Sequence, residues 1–584
     1  MNYGASISGI VQQNYSITDG KLNEIMIIDL LVINPGTFCF LLVVVLWLRY
    51  VAALNNFKAY EKQRGAQGIP LAFPYVFPLL GNLPLPYLWR PKAFILNRNF
   101  FQRAHPVLVK ILTREFYIIR GQENVKALFR SSAACSSIPL SKFAVGHAFG
   151  LPAKALRLYD KDDSGGGHVP HPNSTVESRN RIDYHVHQSL VRFLEGKGLL
   201  PFWNRFSVNI TGQLHDWRNR LGSNWVYCDD LMKLVGSETT VSIFNALCGP
   251  FLLKLNPRFL EDYFEFDRNL HTYLQGIPWY LAPKAYAVRK RVLSAVQVWQ
   301  QYARDNGNDS AVGADGDDPY WGSSFFRERH KMFLDMDGFD YAAIASQDFG
   351  AIWAVTNSVT AASWAVYEIF RNPELLASVR AEVDACVLES ADGCIRFDIG
   401  RLLQLPVLQA VYAETLRLRM HVYIIRMPDR ADMNIRGWII PKRKFIVTPT
   451  TVAHMDSEVW NTGLDNEHPV DQFWAGRFLK YPPTSNDGKI GSPDPASSAT
   501  FSKKEYEGSW IPYGGGPRVC PGRHFAKRQI LLTTALMVSL FDCEILGEGE
   551  NVQEDSTLRG FGGGMARPAG KVPMRIRRRE RGGM

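Results

Sequence analysis

Residues 510–528 read WIPYGGGPRVCPGRHFAKR, and the reading of this stretch decides the fold. Its centre is Tyr513-Gly514-Gly515-Gly516-Pro517-Arg518-Val519-Cys520-Pro521-Gly522. Three glycines closed by a proline interrupt regular structure, and Gly514 and Gly516 permit a tight turn. Gly522 lets another group approach the backbone closely. From about Arg523 toward Leu540 the pattern is helical. Cys520 therefore stands at a helix start, where backbone N–H groups favour a thiolate. The chain has eight cysteines, at 39, 135, 228, 248, 386, 394, 520 and 543. None forms a C-x-x-C pair, which argues against a zinc ribbon or dithiol redox site. Eight are too few for a disulfide scaffold in 584 residues. Only Cys520 has surroundings that single it out; the rest read as small core residues or reduced thiols.

A soft thiolate in such a turn can be the axial ligand of haem iron, pushing electron density toward O–O cleavage. Arg518 is then placed to neutralise a haem propionate. The plain alternative is a glycine-rich turn around a buried cysteine. Two further patterns weigh against it. Glu414-Thr-Leu-Arg417 sits on a helix that starts near Pro406, with its charged pair at i, i+3 on one face. Arg477, in Phe473-Trp-Ala-Gly-Arg477-Phe478, can complete a network with that pair. A long helical pattern, Ala342–Arg371, ends in Arg371-Asn-Pro373-Glu374.

Together these features resemble the cytochrome P-450 haem-thiolate monooxygenases, over roughly residues 68–578. The family usually has Phe where this chain has Tyr513. The resemblance implies a mainly α fold with a small β portion and one haem held by Cys520. It also implies a structural triad of Glu414, Arg417 and Arg477. Electrons would come from NADPH through a separate NADPH-cytochrome P-450 reductase, since the chain has no flavin or nicotinamide motif. The helix Ala342–Arg371 corresponds to the one that crosses the distal face of the haem. There most members carry an acid–alcohol pair, but this chain reads Trp353-Ala-Val-Thr356-Asn357-Ser358-Val-Thr360. Asn357 and Ser358 are the candidate catalytic residues in its place, as in the branch of cholesterol 7α-hydroxylase and prostacyclin synthase. An amide and a hydroxyl can order a relaying water, but neither ionises as a carboxylate does. Asp348 lies nine residues upstream, about 13 Å along a helix, too far to stand in.

The missing acid leaves the reaction open. The first expectation is a monooxygenase acting on a lipophilic terpenoid, steroid or polyketide-type molecule, as in secondary-metabolite biosynthesis by fungal-type enzymes. A haem-thiolate isomerase or dehydratase, needing neither dioxygen nor reductase, is the second. A non-catalytic haem binder is the third. By analogy, Phe143, Ile352, Val355, Val422, Tyr423, Ile424 and Phe561 are candidate pocket walls, an apolar set suited to such substrates. Arg518, Arg523, Lys527 and Arg528 form a basic face that would attract an acidic reductase.

The N-terminus carries the second decisive pattern. Leu30 to Leu48 holds no charge, and the apolar run can continue to Leu54 as one transmembrane helix. Arg49, Lys58, Lys62 and Arg64 follow it, which places the bulk of the chain in the cytosol. The expectation is a single-pass protein of the endoplasmic reticulum membrane, in contact with lipid. Asn14-Tyr15-Ser16 would be a lumenal glycosylation acceptor. Five prolines between Pro70 and Pro86 indicate an extended connector. The expected organisation is a lumenal tail (1–29), an anchor (30–54), a basic and proline-rich linker (55–86) and a haem-thiolate catalytic domain with a basic C-terminal tail (87–584). Short β-like runs are expected at Val107–Leu112, Phe116–Ile119, Asp432–Ile440 and Phe445–Thr448. Exposed loops are expected at Asp160–Ser164, Asn306–Asp318 and Pro482–Ser498. The net charge is +10 and the mean hydropathy −0.13, so the chain is neither disordered nor polytopic. The basic residues are scattered and no nucleic-acid motif accompanies them.

Overall fold

The computed structural model describes residues 35–62, 68–82, 85–97, 99–101, 105–388, 394–481 and 499–580. Asn14 and the Pro482–Ser498 segment lie outside the described residues.

The chain divides into two compact units. The smaller contains the N-terminal helix together with Leu71–Leu83 and Leu108–Glu115. Its helix runs Pro35–Lys62, with Pro35 at the first position, where a missing N–H costs nothing. Gly36–Tyr60 is long and apolar enough to cross a membrane, with a mean hydropathy of 2.2 over its most apolar window. The helix extends past the expected end at Leu54, because Asn55 to Lys62 contains no glycine or proline to stop it. The proline-rich segment is paired rather than free. Leu108 N donates to Leu71 O (3.1 Å), Phe73 N to Leu108 O (2.8 Å) and Asn82 N to Lys110 O (2.6 Å).

The larger unit is mainly helical. At its centre the helix Thr356–Phe370 packs against Leu231–Cys248, Pro406–Arg419 and Arg523–Leu540. Trp364 and Tyr367 on that helix are fully buried, and Trp364 Nε1 donates to Ala566 O at 2.7 Å. Phe445–Pro449 pairs parallel to Phe116–Ile118 and antiparallel to Met420–Pro428, which pairs in turn with Gly563–Met565. The β run expected at 432–440 is a hairpin, Met433–Ile435 and Trp438–Ile440, turning through Arg436 and Gly437 with φ of 54° and 89°. Positive φ at both central residues is what a tight hairpin turn requires.

Three expectations are corrected here. The stretch Ala342–Arg371 is two helices, Tyr341–Trp353 and Thr356–Phe370. The carbonyl of Trp353 accepts the hydroxyls of Thr356 (2.8 Å) and Tyr263 (3.3 Å), and such hydroxyls compete with the backbone ladder. The basic C-terminal tail is not solvated throughout its described residues. Met574–Arg578 is a strand between Phe541–Ile545 and Val226–Cys228, and Arg579 Nη2 reaches Asp384 Oδ2 at 2.8 Å. The loop at Asp160–Ser164 is not wholly exposed. Asp162 and Ser164 are buried and hold Asp183 N and Arg181 Nε, each at 3.1 Å.

Candidate haem-thiolate site

The loop before Cys520 is fixed to the helix Pro406–Arg419. Trp510 Nε1 donates to Ala413 O (3.0 Å), and Tyr412 and Tyr513 join their hydroxyls (3.0 Å). The chain then turns through Gly514 and Gly516, at φ of 70° and 68°, a region disfavoured for side chains with a Cβ. At Gly516 a Cβ would also collide with Phe129 O and Ser132 Oγ. Cys520 N closes the turn onto Tyr513 O at 3.0 Å. A Cβ on Gly522 would stand 3.7 Å from Cys520 Sγ, and the helix Arg523–Leu540 begins immediately after it. Burial pushes the Cys520 thiol up, while the Gly522 and Arg523 N–H groups and the Arg523 charge pull it down. A metal cation that binds the sulfur displaces the thiol proton.

Glu414, Arg417 and Arg477 are brought together and fully buried. Arg417 Nε and Nη2 reach Glu414 at 2.7 and 2.8 Å, and Arg477 Nε reaches it at 3.1 Å. Two guanidiniums on one carboxylate leave a net positive charge. Backbone carbonyls absorb it: His454 O for Arg417 (2.6 Å), and His468 O (2.8 Å) and Pro469 O (2.5 Å) for Arg477. Ile511 N donates to His454 Nε2 (3.2 Å), so the residue that steadies the triad also holds the loop.

Above the loop lies a cavity of about 470 Å³. Cys520, accessible from it, shares its walls with Pro512–Gly514, Val422–Arg426, Ala354, Val355, Asn357, Ser358 and side chains of the helix Ile182–Leu194. No carboxylate lines it among the described residues, but two guanidiniums do, those of Arg426 and Arg518. Arg518 Nη2 is held by Asp183 Oδ2 at 2.5 Å, and Asp183 also takes Ser137 Oγ at 2.6 Å. Arg426 spends Nη1 on Ile425 O and Nη2 on Gly515 O, while its buried Nε has no partner among the described residues. A haem fits this donor set. Cys520 would offer a thiolate to the iron, apolar walls would receive the ring, and the guanidiniums of Arg426 and Arg518 would meet the propionates.

Asn357 ties the distal wall to the strand Gly563–Met565. Met565 N donates to Asn357 Oδ1 at 2.9 Å, which leaves Nδ2 as the uncommitted end of the amide. Ser358 Oγ donates to Val355 O at 3.0 Å and still lines the cavity. Thr356 and Thr360 face a different cleft, where the Thr356 and Tyr263 hydroxyl oxygens lie 2.6 Å apart. Asp348 is buried against Arg329 (2.7 Å) and Gln300 (2.8 Å), off the cavity.

Of the expected pocket residues, Val355, Val422, Tyr423 and Ile424 line the cavity, and Tyr423 bonds the Tyr87 hydroxyl at 2.7 Å. Three do not. Ile352 is fully buried in the core, while its neighbour Ala351 lines the cavity with Ala354, Val355 and Ser358. Phe561 is buried with its ring stacked 4.7 Å from that of His421. Phe143 is exposed and stacks on His147 at 4.3 Å; its neighbour Leu140 lines the cavity instead. Arg426 was missed by sequence reasoning. It shares a strand face with Val422 and Ile424, but Tyr423 and Ile425 line the cavity as well, so alternation alone does not single it out.

Pro512, Tyr513 and Gly514 also line a second hollow, an open cleft of about 850 Å³. Its charged lining is Lys126, Arg130, Lys503, Lys504, Arg523, Lys527 and Arg528, against the single acid Glu507. Three of the four expected basic residues are here. Arg518 belongs to the cavity instead, through its bond to Asp183.

The family model described as Cytochrome P450 matches residues 338–572. Cytochrome P450 monooxygenase efuG of Hormonema carpetanum is 31% identical over 91% of this chain and 93% of its own length. Cytochrome P450 monooxygenase fsoE of Humicola fuscoatra is 32% identical over 88% of each. A 25-hydroxycholesterol 7-alpha-hydroxylase of Rattus norvegicus is 24% identical over 54% of this chain and 71% of its own. The crystal structure of the cytochrome P450DA heme domain superposes with a TM-score of 0.57 at 16% identity, covering 88% of this chain and 98% of that one.

Proposed function

The chain belongs to the cytochrome P450 family, a haem-thiolate monooxygenase by its relatives, and from that premise we propose that it is a membrane-anchored enzyme that oxidises a lipophilic small molecule of terpenoid, steroid or polyketide type. The observation that carries this reading is Cys520 on the wall of an apolar cavity that also presents two guanidiniums and no acid. When bound, haem supplies the reductive activation of O2, one atom of which enters substrate while the other leaves as water. Cys520 anchors the iron. Arg426 and Arg518 take the propionates, with Asp183 holding Arg518 in place. Val355, Val422 and Ile424 exclude water and favour an apolar substrate. Asn357 Nδ2 donates a hydrogen bond into the cavity, and Ser358 Oγ can accept one, so the pair orders a water that passes protons inward. Catalytic roles for Asn357 and Ser358 rest on this placement.

The basic cleft beside Tyr513 supports docking of an acidic flavoprotein, the NADPH-cytochrome P450 reductase, by charge complementarity. The apolar N-terminal helix supports a single-pass location in the endoplasmic reticulum membrane with the haem domain cytosolic. On that topology residues 1–29 are lumenal and Asn14 is open to glycosylation. The two relatives named as monooxygenases support the oxygenase reading, and a role in secondary-metabolite biosynthesis is part of the same proposal. Full-length protein expressed with a reductase and offered terpenoid, steroid and polyketide panels tests the proposal. NADPH- and O2-dependent oxygenated products are expected. The acid-free cavity favours one second reading, a haem-thiolate isomerase or dehydratase, and turnover that persists without NADPH and O2 would establish it.

A further inference from the structure

The glycine triplet Gly165-Gly166-Gly167, between Ser164 and His168, lies outside the cavity wall. It nonetheless rests on a group that holds the site. A Cβ on Gly166 would stand 2.8 Å from Asp183 Oδ2 and would overlap Arg518 Nη2 outright. Gly166 therefore presses bare backbone onto the Arg518–Asp183 ion pair. A side chain there must displace the guanidinium or lift the loop. The pair is correspondingly shielded: Asp183 is buried, and 17% of the Arg518 side chain is exposed.

Three side chains pin this loop in place. Arg181, buried just ahead of the helix Ile182–Leu194, donates to His168 O (2.8 Å), Gly167 O (2.5 Å) and Ser164 Oγ (3.1 Å). Asp162 joins the loop to the helix start: it accepts Ser164 Oγ at 2.6 Å and Asp183 N at 3.1 Å. Arg430 Nη2 holds Asp163 O at 2.8 Å. Three adjacent glycines would otherwise leave the segment free to wander. What the pinned loop covers is the carboxylate that aims Arg518. Attraction between Arg518 and an anion in the cavity weakens as water enters, because the dielectric rises. We propose that the Ser164–His168 loop is a cap that seals the Arg518–Asp183 pair and so slows the escape of haem, with Gly166 as its positioning residue. The proposal rests on the haem-thiolate reading above.

The test mixes full-length holoenzyme with excess apomyoglobin and follows haem transfer by absorbance. Gly166→Ala is expected to release haem about tenfold faster, the scale on which outer-shell partners act. Gly167→Ala is the control: its Cβ would have only Val169 O near it, at 3.6 Å, and transfer should match the parent. Arg518→Leu should also speed transfer, and adding Gly166→Ala to it should change nothing further, since both act through one guanidinium. Parent-like transfer in Gly166→Ala overturns the proposal. Equal acceleration by Gly167→Ala also overturns it, since that marks general loosening of the loop. So does the full Gly166→Ala effect on top of Arg518→Leu. If Gly166→Ala takes up no haem, Arg181→Gln supplies the reading: it frees the loop and keeps Gly166, so faster transfer is expected and parent-like transfer overturns the proposal. If the parent protein instead shows no red-shifted ferrous–CO band, the haem-thiolate reading fails first, and the two failures are told apart.

Discussion

At Glu414 three hydrogen-bonded N–H groups from two buried guanidiniums converge on one carboxylate. Removing that anion strands both cations. Glu414→Ala is expected to cost about 3–5 kcal/mol, read as a lower denaturant midpoint or as failure to accumulate haem-loaded protein. Arg417→Lys should also be poorly tolerated, because an ammonium cannot reproduce the fork that meets both carboxylate oxygens. The propionate roles are tested separately. Arg426→Leu removes the guanidinium with the orphaned Nε, and the expected outcome is faster haem loss with little change in the stability of the apoprotein. Equal haem retention in parent and variant would count against that role. These residues differ in how far the sequence exposed them. The triad and Cys520 were legible because their chemistry lies in residue type and order. Arg426 was not, because a single arginine in a β-like run says nothing until its strand places it on the wall with Val422 and Ile424.

The helix that forms the distal wall carries the main lesson at the scale of elements. Apolar periodicity indicated one helix over 342–371, yet the chain breaks after Trp353. Periodicity reports which face is apolar, and it is blind to a carbonyl taken by Tyr263 from another helix. The cavity face nonetheless runs across the break, through Ala351, Ala354, Val355 and Ser358, and leaves Ile352 in the core. Asn357, on the same wall, lies beside the strand Gly563–Met565. Asn357→Leu leaves the buried-side Met565 N–H unpaired, and about 1–3 kcal/mol of stability should be lost in thermal or denaturant unfolding. Asp348, on the first half of the helix, predicts a pH signature. Burial pushes its carboxyl up to about 6, against Arg329 and Gln300, which pull it down. Unfolded, the group loses its proton near 4. Between these values the folded state binds more protons, so this group's contribution declines as pH rises from about 4 to about 6, by about 3 kcal/mol in all. Asp348→Asn should flatten that part of the stability profile relative to the parent; parallel profiles would contradict the assignment.

At about 150 residues per domain, 584 residues would make roughly four domains, whereas the larger unit gathers nearly everything from Phe116 onward around one main core. A single prosthetic group explains why: loop, triad helix and distal wall must meet at one place, so no boundary can fall between them. The same gathering turns scattered charge into function. Lys126, Arg130, Lys503 and Lys504 are far from the ligand loop in sequence, or merely near it, yet they line one cleft with Lys527 and Arg528. Reductase association should therefore weaken steeply with ionic strength, and glutamate at Lys504 and Arg528 should slow it several-fold; a salt-independent rate would place the docking face elsewhere. The central claim, that Cys520 holds a haem iron through its thiolate, has the most direct test of all. The ferrous–CO spectrum of the full-length parent should show a red-shifted Soret band, and Cys520→His should lose it while still folding; a red-shifted band that survives the substitution would contradict the account.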